Sequence, residues 1–184
     1  YHKTTFCGLL HGNNAQAFLA LNYFEQNNDQ DFIFFKPYQN YTTQTKEIIF
    51  FDARKPFAKF KLMSGPRDFE DVRGTFTGNP YPFLNFGLSY RATKTCVNVA
   101  TTNSETRIKD FTFWQAYTKK RYQNHFTIVH NASSNQLFGG ILNDTAYTVD
   151  NQRIENLAVR LNDAEAITKH QEASFSHELR LGHM

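Results

Sequence analysis

Two triplets in this chain set a histidine two residues ahead of a threonine, His2-Lys3-Thr4 and His125-Phe126-Thr127. On an extended strand, residues i and i+2 share a face, so each triplet presents an imidazole and a hydroxyl together. An imidazole and a hydroxyl side by side are of the types that acid–base chemistry uses. The candidate catalytic residues are therefore His2, Thr4, His125 and Thr127. His170, Glu172, His177 and Glu178 are of the types that bind transition metals, but the same residues commonly make a solvated strand face, and no metal is expected. Asp68, Glu70 and Asp71 could offer carboxylate oxygens to a hard cation. Their spacing matches no calcium loop, and a charged surface turn is the simpler reading. The chain has no Gly-x-Ser-x-Gly elbow, no phosphate-binding glycine loop and no paired-cysteine spacing, so no cofactor is expected.

The run His125-Phe126-Thr127-Ile128-Val129 resembles the strand motif of the two-histidine phosphoesterases. The stretch His2-Lys3-Thr4-Thr5-Phe6-Cys7-Gly8 is similar to that family's His-x-Thr-x-x-Phe-x-Gly form, shortened by one residue. The resemblance implies action on 2′,3′-cyclic phosphates or RNA, with His2 and His125 as the acid–base pair. It also implies helical lobes, which this sequence scarcely offers.

A second candidate chemistry is aromatic. Phe113-Trp114-Gln115-Ala116-Tyr117 runs into the basic stretch Lys119-Lys120-Arg121-Tyr122, a mixture that can stack on sugars or bases. Packing of Trp114 in the core, with Lys119-Lys120-Arg121 as a solvated hairpin end, accounts for the same residues. Phe86, Tyr90, Phe113, Trp114 and Tyr117 are the expected ligand-binding set.

The elements that would position these residues read as strands. Leu84, Phe86, Leu88 and Tyr90 alternate with Asn85, Gly87, Ser89 and Arg91, the pattern of a half-buried antiparallel strand. Phe57 to Met63, Glu155 to Asn162 and Ser174 to Leu181 alternate similarly. Thr106 to Thr118, His125 to His130 and Ala146 to Asp150 also suit strands, and the short apolar runs Phe32 to Phe35 and Ile48 to Phe51 read as central ones. Pro and Gly residues cluster in the stretch Gly65 to Pro82, which reads as an irregular surface connection. Ala15 to Gln26 fits either state. The expected fold is a single all-β domain over residues 1–184, an antiparallel β-barrel or two-sheet β-sandwich of about ten strands with at most one or two short helices.

Composition narrows the class. The chain carries 19 Phe and 9 Tyr, so that 16% of it is aromatic, which favours β-structure. A net charge of +3 falls short of a nucleic-acid binder's clustered charge, so nucleic acid is not an expected partner. No apolar run is long enough for a transmembrane helix, and the sequence reads as soluble, without a transmembrane segment. An even pair of cysteines, Cys7 and Cys96, could close one disulfide. Three acceptor sequons begin at Asn40, Asn131 and Asn143, each where a loop is expected. With a first residue that is not Met, these features suggest a secreted or exported protein.

The surplus of phenylalanine suggests more apolar surface than a minimal core consumes. In size and aromatic content the chain is similar to lipocalin-like barrels, by analogy of class, since their Gly-x-Trp start is missing. The favoured function is a non-enzymatic, exported binding protein whose aromatic-lined pocket takes a small hydrophobic molecule. A jelly-roll or lectin-like module that binds glycans or other subunits, with oligomerisation, is the alternative from a different class. The two-histidine phosphoesterase is the third.

Overall fold

A computed structural model describes residues 8–10, 18–21, 42–51, 55–66, 68–99, 102–143, 145 and 157–181. Eight strands occur among them. β1 (Gly8–Leu10) and β2 (Phe18–Ala20) form a short antiparallel pair. β3 (Phe57–Gly65), β4 (Phe69–Tyr81), β5 (Leu84–Val99), β6 (Thr102–Lys119), β7 (Tyr122–Leu137) and β8 (Ala164–Leu179) form one antiparallel sheet in simple sequence order. The all-β class expected from the sequence is what the chain adopts. The sheet is not closed into a barrel: β3 and β8 are its edges among the described residues, and the strand count differs from the expected ten.

The strands are long, 16 to 18 residues in β5 to β8, well above the usual five or six. They are rich in Thr and aromatics, which suit a pleated surface. Tight turns join four of them. Pro82 and Phe83 link β4 to β5, while Lys120 and Arg121 link β6 to β7, with Lys120 held at a φ of +46°. Lys119-Lys120-Arg121 is thus an exposed hairpin end, as the sequence suggested.

The segment Gly65 to Pro82 corrects an expectation. It is mostly the 13-residue strand β4, paired on both sides. Its turn formers are accommodated individually. Gly74 lies between Phe60 and Tyr90 in the ladder, and Asn79 and Pro80 fall where the β4–β5 register shifts between Gly78 and Tyr81. A proline lacks the N–H that a ladder needs and fits at such a bulge. Pairing with two neighbours outweighs the local preference for a loop.

Two expected strands are also corrected. Ile48 to Phe51 is irregular and unpaired; it belongs to a strap, residues 42–51, containing one 3-10 turn at Thr45–Glu47. Among the described residues of Glu155 to Asn162, the one ladder contact is an isolated bridge from Val159 to Ile141. Leu157 and Val159 are buried there against Phe138 and Ile141 in a small apolar cluster. β8 instead begins at Ala164, well before the expected Ser174. Phe32 to Phe35, Ala146 to Asp150 and most of Ala15 to Gln26 lie outside the described residues.

Register assigns every side chain of the large sheet to one of two faces. The strap lies across one of them, called here the covered face. Phe51 packs its ring 6.0 Å from Trp114, and Phe50 sits 4.6 Å from the His125 ring. The other is the open face.

Candidate functional site

The open face is mainly apolar over the rungs from Leu84 to Ala92, with Gln115, Asn124, His130, Gln171 and His177 set among the apolar residues. On β5 it presents Leu84, Phe86, Leu88, Tyr90 and Ala92, and their ladder partners continue the surface on both sides. Phe76, Phe113, Ile128 and Ala173 lie in register with Leu88, while Phe60, Gly74 and Phe111 lie in register with Tyr90. These groups meet solvent: Phe60 is 73% exposed and Phe175 60%. At the end carrying the β4–β5 and β6–β7 turns, aromatic rings follow one another across the strands. Tyr81 stacks on Phe83 at 5.4 Å, Phe83 meets Tyr117 edge-on at 5.4 Å, and Tyr117 approaches Tyr122 at 6.0 Å. The Lys119 ammonium lies 5.0 Å from the Phe83 ring, a cation–π arrangement. Toward the opposite end the open face turns polar, through Lys109, Lys169, Glu70, Lys94, Arg107, Glu105 and Glu165.

The covered face is polar and is the buried one. Asp71, Thr77, Asn85, Thr95, Thr106, Asp110, Thr112, Thr127, Asn131, Ser133 and Asn135 are all buried on it, against only Ile108, Trp114 and Val129 among apolar residues. A water-soluble sheet arranges these classes the other way round. Buried polar groups need partners. Asn85 Nδ2 donates to Thr77 Oγ1 at 3.1 Å and to the Gly78 carbonyl at 3.3 Å. Thr93 Oγ1 donates to Asp71 at 2.7 Å, and Arg73 closes an ion pair with the same carboxylate at 2.7 Å. Arg91 pairs with Asp110 across the β5–β6 ladder.

The strap is fastened to this face by side chains. Asn131 accepts from the Thr43 N–H at 3.2 Å and donates to the Thr43 carbonyl at 2.9 Å. Glu172 accepts from the Thr45 N–H at 3.1 Å and from the Thr45 hydroxyl. Thr42, Ile108, Asp110, Asn131, Ala132, Ser133 and Thr168 line a cavity of about 10 Å³ beneath the strap, room for about one water. Gly87 lies opposite Trp114, and a Cβ there would fall 2.2 Å from the indole. The glycine therefore lets the ring lie flat on the backbone.

The residues singled out from the sequence divide between these surfaces. Phe86, Tyr90, Phe113 and Tyr117 are on the open face, where they belong to a mainly apolar surface that Gln115 interrupts between Phe113 and Tyr117. Trp114 is on the covered face, 3% exposed, packed as the core reading anticipated. His125 and Thr127 share the covered face, and His2 and Thr4 lie outside the described residues. His170 and Glu172 face the strap side, while His177 points to the open face, so the two histidines do not converge. Asp71 is no surface turn residue: it is buried and ion-paired, whereas Asp68 and Glu70 are exposed. Asn131 is not in a loop but buried in mid-strand, whereas Asn143 is exposed, its side chain accepting from the Thr145 N–H. Asn40 and Cys7 lie outside the described residues, and Cys96 is buried near the end of β5.

Sequence reasoning missed the covered-face polar set as a whole. Its signal was present in the same alternation: the residues between the apolar ones are Asn, Ser, Thr, Arg and Asp over strands too long for an ordinary sheet.

Residues 1–183 match the family described as "Putative porin", and the chain belongs to that family. Comparison with curated proteins found no match, nor did comparison with solved structures. Family membership fits the expected export at a coarse level and corrects the soluble reading toward a membrane β-protein. No helix among the described residues is long and apolar enough to cross a membrane, a test that does not address strands.

Proposed function

We propose that the six-stranded sheet is the wall of a pore in an outer membrane, its open face against lipid and its covered face toward an aqueous interior. The observation that carries this reading is the inverted burial: exposed Leu88, Phe111 and Phe175 on one face, buried Asn131, Asp110 and Thr112 on the other. Transmembrane β-strands alternate in this sense, apolar outward and polar inward. Leu84 to Ala92 on β5 spans nine residues, and a tilted strand needs roughly 9 to 11 to cross the hydrocarbon. The aromatic rings from Tyr81 to Tyr122 fit the girdle at one interface. Lys109, level with Ala92, then marks the border of the hydrocarbon, and the charged positions beyond it, from Lys94 and Arg107 onward, stand outside.

A sheet with bare edges cannot stand in lipid, because its unpaired N–H and C=O groups would find no water. On this reading further strands pair with β3 and β8 and complete the wall, and the strap occupies part of the interior.

Site-directed spin labelling tests the assignment. Single cysteines replace Leu88, Phe111, Thr75 and Ser89 in turn, in full-length protein lacking Cys7 and Cys96 and reconstituted in vesicles. Labels at 88 and 111 should collide with dissolved oxygen more than with a water-soluble nickel chelate, and labels at 75 and 89 should not. Open-face labels that favour the nickel chelate would sink the membrane reading.

A further inference from the structure

Lys61, Arg73 and Arg91 stand directly opposite one another on β3, β4 and β5. Lys59 follows Lys61 on the same covered face, in register with Thr75 and Ser89. Like charges placed opposite each other on neighbouring strands repel and weaken the pairing. Two carboxylates offset part of this repulsion, Asp71 beside Arg73 and Asp110 beside Arg91. Their side chains are only 1% and 4% exposed, whereas those of Arg73 and Arg91 are 29% and 23% exposed. The acid is sealed beneath the base, and what the interior meets is guanidinium.

Lys59 and Lys61 are exposed, and neither pairs with a carboxylate among the described residues. The other covered-face carboxylates of the sheet stand on β8. Glu172 there is bound to Thr45 of the strap, and Glu178 pairs with Arg180 at 3.1 Å. Charge on this face is thus segregated, with cations accessible on β3 to β5 and no free acid beside them among the described residues.

We propose that Lys59, Lys61, Arg73 and Arg91 form an anion site on the pore wall, suited to small oxyanions such as phosphate or a carboxylate. This rests on the pore reading. Guanidinium groups hold planar or tetrahedral oxyanions through paired N–H donors. The two lysines raise the local anion concentration at the approach.

The test is conductance of the full chain in planar phosphatidylcholine bilayers under a potassium chloride gradient. The reversal potential should report a preference for chloride over potassium. Lys59→Glu with Lys61→Glu should lower the permeability ratio at least about threefold, while Lys59→Arg with Lys61→Arg should keep it. Inorganic phosphate should reduce chloride current through wild type more than through the Glu pair. Should the Glu pair fail to insert, Lys59→Gln with Lys61→Gln is read in its place, with a smaller fall in the same direction. Conductance without anion preference, or a preference that the Glu or Gln pair leaves unchanged, overturns the anion site and leaves the pore standing. No conductance from inserted wild type overturns both.

Discussion

On strand β5, Leu84, Phe86, Leu88, Tyr90 and Ala92 line the open face, while Asn85, Gly87, Ser89, Arg91 and Thr93 line the covered one. The first set is more exposed than a soluble core would allow, and the second holds the buried asparagine and one half of a buried ion pair. The two faces therefore owe their stability to different forces. The covered face is held by hydrogen bonds and charge pairing among side chains that are individually buried, where each group depends on its partner. The open face has few such bonds and, on the proposed pore reading, gains its free energy when lipid replaces water. A substitution's cost should accordingly depend on the face it falls on, more than on its size.

The largest effect is expected from breaking the covered-face ion pair on one side. Arg91→Ala strands the Asp110 carboxylate, 3% exposed, and should cost about 3 to 5 kcal/mol of unfolding free energy, read by denaturant titration in vesicles. Replacing both members, with Arg91→Met and Asp110→Leu, should cost much less, because no buried charge is then left alone. Equal losses for the single and double variants would mean that pairing is not what holds this face.

The open face should answer to charge through its position. Phe111→Arg, within the apolar belt, should destabilise the membrane-inserted protein by about 2 to 4 kcal/mol. Ser64→Arg, on the same face but in register with Glu70 beyond the belt, should change stability by less than about 0.5 kcal/mol. Folding from urea into vesicles measures both. Equal, small effects would mean that no lipid contacts Phe111.

Gly87 joins the two faces through the backbone. A methyl group there would also lie 2.8 Å from the Phe76 carbonyl oxygen, so Gly87→Ala must push Trp114 off the sheet, at about 1 to 3 kcal/mol. The chain holds one tryptophan, so intrinsic fluorescence reports this site alone. A red-shifted emission is expected, and an unchanged spectrum would mean that the indole does not rest on Gly87.

Apart from the Ser64→Arg control, the smallest effect should come from the strap. Asn131→Ala removes both bonds to Thr43 and should cost roughly 1 kcal/mol. Its clearest sign is faster hydrogen exchange confined to residues 42–51, with β7 and β8 unaffected. Exchange that rises along β7 instead would show that Asn131 supports the strand and not the strap.

The sequence by itself determined that the chain is β-structured. Alternation with period two at Leu84 to Arg91 and Phe57 to Met63 reflects the pleat, a local property of extended backbone. It also marked the hairpin end at Lys119-Lys120-Arg121, while leaving Trp114 open between the core and a ligand-binding set. Alternation cannot say which set of side chains is dry, because the pattern of an apolar-inward sheet in water and that of an apolar-outward sheet in lipid are identical. Only the ladder register, with the strap fastened across Asn131 and Glu172, decided that the polar set is the covered one. Tertiary pairing likewise turned Gly65 to Pro82 into β4, since hydrogen bonds to β3 and β5 outweigh the local cost of its glycines and proline. The rung Lys61, Arg73 and Arg91 was hidden for the same reason: residues far apart in sequence become neighbours only when three strands are set side by side.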